Sequence, residues 1–341
     1  MRVLVVMNFG ADPATPQRGR WVIDQVEALR EGGLEVDLFS FRPGRDQYLP
    51  ATRKIRRMIR QTSYDLVHAH YGLAGWCARL AGAAPLVVTF HGTDVRHRVV
   101  GPISRALTRR IDLVAGASRS LFDEEAGRPG LPLREGRSAV LPCGADLSRF
   151  GPIERGRARS ELGLDPELPF LLFPADPARP EKRFDRASEV AERAGVKLVT
   201  GGGIDPEEMP LWINSANALM VTSDYEGFGL ACLEALACDV PVLSTPVGIA
   251  PHVLAGLDHC LCREFDAGSW SDFAAGLFSE PDPRTEGRSR AEALSARRMA
   301  DRVALAYRDL LANRSGGSPS ISANSGGGRV SGGHLGNDGV S

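Results

Sequence analysis

Ala218-Leu219-Met220-Val221-Thr222-Ser223-Asp224-Tyr225-Glu226-Gly227-Phe228-Gly229-Leu230-Ala231-Cys232-Leu233-Glu234-Ala235-Leu236-Ala237 reads as a buried strand that turns directly into a helix. Ala218 to Thr222 is a nearly unbroken apolar run of strand length, as expected for a strand covered on both faces of a parallel sheet. The turn ends in Gly227-Phe228-Gly229, and good helix formers follow it. Gly227 and Gly229 let a backbone come close to a ligand. The free N–H groups at the start of the helix, together with its dipole, attract an anion such as a phosphate. Glu226 stands before the helix start and Glu234 one to two turns inside it. The two carboxylates are therefore placed to bracket a diphosphate, one on the side of a sugar and one on the side of a ribose, since a carboxylate accepts well from vicinal hydroxyls. For two isolated glutamates the ordinary alternative is a turn residue and a solvated helix residue.

The same alternation extends outward in both directions. Val3 to Val6, Val36 to Phe41, Leu66 to Ala69, Leu86 to Phe90, Leu113 to Ala115 and Ala139 to Leu141 read as one set of strands. Phe170 to Phe173, Val196 to Thr200, Ala218 to Thr222, Val242 to Thr245 and His259 to Cys262 read as a second set. Helical stretches separate them; in the first, Val22, Ile23, Val26 and Leu29 fall at helical spacing before Gly32-Gly33. This order predicts α/β units with mainly parallel, doubly wound sheets. Asp146 to Pro169, rich in proline and charge, marks the connection between two domains. The expected division is a Rossmann-like N-terminal domain at residues 1–155 and a Rossmann-like C-terminal domain at 156–312, whose last helix packs back toward the first. Residues 313–341 form a Gly/Ser-rich tail that cannot bury a core and is expected to be disordered. Ligands of open α/β sheets bind beyond the carboxyl ends of the strands, so the chemistry belongs in loops across a deep cleft.

Of the 341 residues, 43% are hydrophobic and 24% charged, which excludes a fibrous or wholly disordered chain. A formal charge of -1 argues against nucleic acid as a partner. The opening run Met1 to Met7 is too short for a signal-peptide core, and no apolar stretch reaches membrane-span length. Cys77, Cys143, Cys232, Cys238, Cys260 and Cys262 form no CxxC pair, so reduced buried thiols and a cytoplasmic compartment are expected.

In detail the sequence resembles a family 4 glycosyltransferase of the two-domain GT-B fold. Members of that family carry a Glu, seven residues and a second Glu in this loop-to-helix setting, matched by Glu226 and Glu234. The resemblance covers nearly the whole chain. Thr89-Phe90-His91-Gly92-Thr93-Asp94 resembles the family's His-Gly loop, and Leu141-Pro142-Cys143-Gly144-Ala145-Asp146 the segment closing the first domain. The stretch from Phe173 to Lys182 resembles the basic loop of the second domain. Pro206 to Trp212 resembles the turn near the nucleotide base, and Asp65 to His70 the strand ending below the cleft.

The resemblance implies a retaining, hexosyltransferase-like enzyme of glycan biosynthesis that moves a sugar from a nucleotide diphosphate sugar to a hydroxyl. It implies catalytic roles for His91 and Glu226. Donor binding falls to Gly19, Arg179, Lys182, Gly227, Phe228, Gly229, Leu230 and Glu234, with Arg179 and Lys182 neutralising the departing diphosphate. Two departures stand out. Pro177 occupies the position where many members have the Arg of the basic loop, and Gly248-Ile249-Ala250-Pro251-His252 replaces the usual Gly-Gly and Pro-Glu.

No Asp-x-Asp motif lies in a suitable loop, so no metal or other cofactor is expected. His68 and His70 share one face of a strand without a third ligand nearby in sequence. Arg53-Lys54-Ile55-Arg56-Arg57-Met58-Ile59-Arg60 is a basic segment with Ile55, Met58 and Ile59 on one helical face. It could meet anionic lipid at the inner face of a membrane, or pack those residues on the sheet as a surface helix. The rival readings are a sugar-nucleotide epimerase of the same architecture and a non-catalytic nucleotide-sugar binder. A nicotinamide-dependent oxidoreductase is disfavoured because no GxGxxG follows the first strand.

Overall fold

A computed structural model describes residues 1–10, 18–124, 127, 129–167 and 169–314. Eleven strands are described: β1 (Arg2–Met7), β2 (Glu35–Ser40), β3 (Leu66–His70), β4 (Leu86–Phe90), β5 (Leu113–Gly116), β6 (Ser138–Val140), β7 (Phe170–Phe173), β8 (Lys197–Thr200), β9 (Ala218–Val221), β10 (Val242–Ser244) and β11 (Leu261–Cys262). They form two sheets, ordered β2-β1-β3-β4-β5-β6 and β11-β10-β9-β7-β8, with every pairing parallel. These are the two Rossmann-like α/β domains read from the sequence. Each strand lies within a residue or two of its expected place, because strands buried on both faces announce themselves as apolar runs.

Alternation along the first sheet divides its core. Leu4 and Val6 face helices Tyr48–Gln61, Gly72–Ala81 and Val100–Leu107, while Val3, Val5 and Met7 face helices Arg20–Glu31 and Ala296–Arg314. The chain's last helix thus returns to the first domain, where Met299, Val303, Tyr307 and Leu310 are buried. It ends at Arg314, two residues beyond the expected boundary; the tail from 315 onward lies outside the described residues. The connection contains a short helix, Arg155–Glu161, which the sequence reading did not include. Glu154 starts it by accepting from the Gly156 and Arg157 amides, and Arg155 and Arg159 are buried beneath it.

In both sheets the first strand lies between the second and third, so the connections leave to opposite sides. Such a reversal opens a crevice at the carboxyl ends, here after β1 and β3 and after β7 and β9. The two crevices face each other.

Candidate active site

A cavity of about 470 Å³ fills the space between the crevices. The first domain lines it with Phe9, Trp21, Tyr71 and His91, the second with Pro174 to Asp176, Arg179, Lys182 and the segment from Ser223 to Ala231. A smaller cavity of about 180 Å³ adjoins it through Trp21, Pro174, Leu230 and Ala231, and Glu234 opens into that one.

The helix expected after Gly229 runs from Leu230 to Ala237, and Gly229 begins it at φ 91, a conformation that favours glycine. Leu230 and Ala231 line both cavities, so the start of the helix faces the cleft. Phe228 is buried, and its carbonyl accepts from the Ile249 amide at 2.7 Å, which pins the loop to the segment containing Gly248. Gly227 has a different reason to be glycine from the one expected. A Cβ there would lie 1.7 Å from the His91 carbonyl oxygen, and a Cβ on Gly92 would lie 2.8 Å from the Gly227 Cα. The close approach is between the two domains' own backbones. Gly19 likewise serves its own chain: it starts helix Arg20–Glu31 at φ 76, with the Phe9 carbonyl 2.4 Å from where a Cβ would stand.

Lys182 and Glu226 are each 14% exposed, and the ammonium donates to Glu226 Oε1 at 2.6 Å. The same oxygen accepts from the Ser223 hydroxyl at 2.7 Å. Arg179 donates twice to Glu181 Oε1, at 2.6 and 2.9 Å, within its own loop. The two expected phosphate-binding cations are thus present at the cavity, and each is held by a carboxylate.

Glu234 has no such ion pair among the described residues. Burial, reinforced by the nearby Asp24 and offset by Arg149, pushes its carboxyl up to about 7. Around it a network that the sequence reading missed joins the domains. Arg20 pairs with Asp24 at 2.6 Å and with Glu207 at 2.9 Å, and Arg149 lies 3.7 Å from both of those carboxylates. Arg149 also donates to the Pro206 carbonyl at 2.7 Å.

His91 follows β4, and its amide donates to Asp94, whose other oxygen accepts from the Gly72 amide. Burial pushes the Asp94 carboxyl up to about 6 and the His91 imidazole down to about 3. His68 and His70 do have a third histidine beside them. His91 approaches from the neighbouring strand, its Nε2 2.9 Å from His70 Nδ1. Beside these rings Tyr71 is held at φ 73, a region an L-residue enters at a cost of about 1–3 kcal/mol. Its ring stacks on Phe9 with centroids 5.1 Å apart. All six cysteines are free; Cys260 and Cys262 are only partly buried, less so than expected. Among the described residues no group of three or more His, Cys, Asp or Glu is arranged to hold a metal ion, and no helix is long and apolar enough to cross a membrane.

Comparison with known proteins places both halves. The family model for Glycosyltransferase Family 4 matches residues 18–149, and that for Glycosyl transferases group 1 matches residues 179–288. Similar curated proteins include the D-inositol 3-phosphate glycosyltransferase of Nocardia farcinica, 30% identical over an alignment 290 positions long that covers 69% of this chain and 64% of that protein. The protein of the same name from Mycobacterium avium is 31% identical over an alignment 280 positions long that covers 68% of this chain and 65% of its own. The chain thus spans just under two thirds of the length of these relatives. Among solved structures, sucrose-phosphate synthase from Thermosynechococcus elongatus superposes with a TM-score of 0.67 at 20% identity, covering 92% of this chain and 100% of that one. Anabaena HepE, solved with UDP and glucose, superposes with a TM-score of 0.66 at 14% identity, covering 89% and 98%. The two family models thus fall in order on the two facing α/β domains, Glycosyltransferase Family 4 on the first and Glycosyl transferases group 1 on the second, and the superposed structures share that two-domain GT-B fold.

Proposed function

We propose that the protein transfers a sugar, with retention of anomeric configuration, from a nucleotide diphosphate sugar to a hydroxyl acceptor. The observation that carries this reading is the backbone contact of Gly227 with His91 and Gly92, which brings Lys182, Glu226 and His91 to one cavity at a helix start. The diphosphate would lie against the first amides of helix Leu230–Ala237, with Arg179 and Lys182 released from Glu181 and Glu226 to neutralise it. Charge develops on that group as the glycosidic bond breaks, and pre-placed cations and amides stabilise it. Glu226, freed of Lys182, would then accept from donor-sugar hydroxyls, while Glu234 takes the ribose. His91 would meet the sugar from the opposite wall.

In this reading protein cations stand where a divalent ion would otherwise serve, so turnover is expected to survive EDTA. The named relatives make a phosphorylated cyclitol the first acceptor to try. Incubation of nucleotide sugars with candidate acceptors, followed by proton NMR of the product, tests the proposal. The expected product keeps the donor's anomeric configuration, and an inverted product contradicts it.

Peripheral contact with an anionic bilayer is part of the proposal. Ile55 is fully buried and Met58 and Ile59 pack against the core, so the apolar side of helix Tyr48–Gln61 is taken up internally. Its cations, and the exposed Leu80, Val99 and Ile103 on and beside the two neighbouring helices, remain outward on a face whose three helices carry no acidic residue. Such a surface complements anionic head groups.

A further inference from the structure

Behind His91 a file of polar side chains runs into the first domain. His91 Nε2 lies 2.9 Å from His70 Nδ1, with the rings stacked at 5.2 Å. The other nitrogen of His70, Nε2, is 3.4 Å from Gln25 Nε2, and the same amide nitrogen is 3.5 Å from His68 Nδ1. His68 Nδ1 is also 2.6 Å from the Tyr307 hydroxyl on the last helix, and its Nε2 is 2.7 Å from Thr89 Oγ1. His68, His70 and Tyr307 are fully buried and Gln25 nearly so. His91 lines the cavity, and its Nδ1 bonds to no described residue.

An amide nitrogen donates and never accepts, and a neutral imidazole has one N–H. His70 Nε2 therefore accepts from Gln25, which puts the proton of His70 on Nδ1, from where it donates to His91 Nε2. That leaves the proton of His91 on Nδ1. At the far end His68 Nδ1 accepts from Tyr307, and His68 Nε2–H donates to Thr89. Each ring nitrogen of His68 and His70 then has a partner of the right kind, as buried groups require. Burial also keeps all three rings neutral, lowering His68 to about 3, His91 to about 3 and His70 well below its ordinary value.

We infer that His70 and Gln25 are positioning residues that fix His91 as its Nδ1–H tautomer, so that it offers the cleft a hydrogen-bond donor and no basic nitrogen. Resting on His91 as a site residue, this makes the ring a donor to a sugar hydroxyl or to a leaving oxygen, and excludes it as the proton acceptor.

Long-range proton–nitrogen NMR of the histidine-labelled full chain, without donor, reads the tautomer directly, with the His91 signals identified by their loss in His91→Asn. At pH 7 the expected pattern is a protonated Nδ1 and a bare Nε2. A bare Nδ1 would overturn the inference. Gln25→Glu supplies a group that only accepts, and should reverse both His70 and His91; an unchanged His91 would contradict the relay. Neither readout depends on turnover, so they fail or succeed apart from the proposed transfer reaction. In kinetics, His70→Phe should keep donor KM within about threefold while kcat falls at least tenfold, and His70→Asn, which restores an N–H, should recover part of it. Unchanged kcat in His70→Phe would rule out the positioning role.

Discussion

The carboxyl of Glu234 opens into the smaller cavity with its pKa raised to about 7, chiefly by burial. If Glu234 takes the ribose as proposed, the ionised form holds it better, so donor binding must expel the proton below that pH. Donor affinity should therefore tighten as pH rises toward 7, by up to about tenfold per pH unit, and level off above it. Calorimetric titration at several pH values checks this, and in Glu234→Gln the dependence should vanish. At Gly227 the missing side chain is required by the His91 carbonyl across the cleft. Gly227→Ala should force the two loops apart and lower transfer by about a hundredfold while donor binding persists, since misplacement by about an ångström is enough; equal turnover would show that the contact is dispensable. Sequence offered Gly227 as a residue beside a ligand. It could not show that the neighbour is backbone from the other domain, because nothing local encodes a contact across 136 positions. The third histidine was hidden similarly: His68 and His70 alternate visibly on β3, but His91 joins them only through the pairing of β3 with β4.

Helices whose buried side is apolar and regularly spaced were readable, as Val22, Val26 and Leu29 illustrate in Arg20–Glu31. Arg155–Glu161 was not, because its inward residues include Arg155 and Arg159, whose guanidinium groups reach the Pro283 and Ser215 carbonyls. A buried arginine satisfied by carbonyls leaves no hydrophobic period to detect. Helix Tyr48–Gln61 was legible as basic and amphipathic, yet both proposed uses of its apolar side remained open until Ile55 was seen at zero exposure. If its outer side meets lipid, the protein should sediment with vesicles containing anionic phospholipid at low salt and not with neutral ones. Binding should fall at least tenfold in the combined variant Arg53→Glu, Arg57→Glu and Arg60→Glu, at about 1 kcal/mol per lost cation. Equal binding to neutral vesicles would remove charge as the cause.

Across the whole molecule, folding changes the protonation of several buried groups in opposite directions. His68, His70 and His91 stay neutral in the fold but take protons near pH 6.5 when unfolded, so each lowers stability as pH falls from about 6.5 toward 3. Asp94 and Glu234, raised to about 6 and about 7, bind protons more readily when folded and act the other way. Asp24 is raised as well, though less, so between pH 7 and pH 5 the three histidines outweigh the carboxyls. The melting temperature should therefore drop between pH 7 and pH 5, by the equivalent of roughly one proton or about 1.4 kcal/mol per pH unit. A protein equally stable at both would mean that the histidines are not held neutral.

At this scale the architecture was the most legible property, because two series of apolar strands with helices between them leave few alternatives to two parallel sheets. Which donor and acceptor the cleft takes is set by a handful of contacts that no periodicity announces. In the proposed function the segment from Glu226 to Glu234 receives a nucleotide sugar. Calorimetric titration with a panel of nucleotide diphosphate sugars, on the wild type, Glu226→Ala and Glu234→Ala, tests it most directly. At least one donor should bind the wild type, with affinity falling tenfold or more in Glu234→Ala; no binding by any donor, or undiminished binding by that variant, would contradict it.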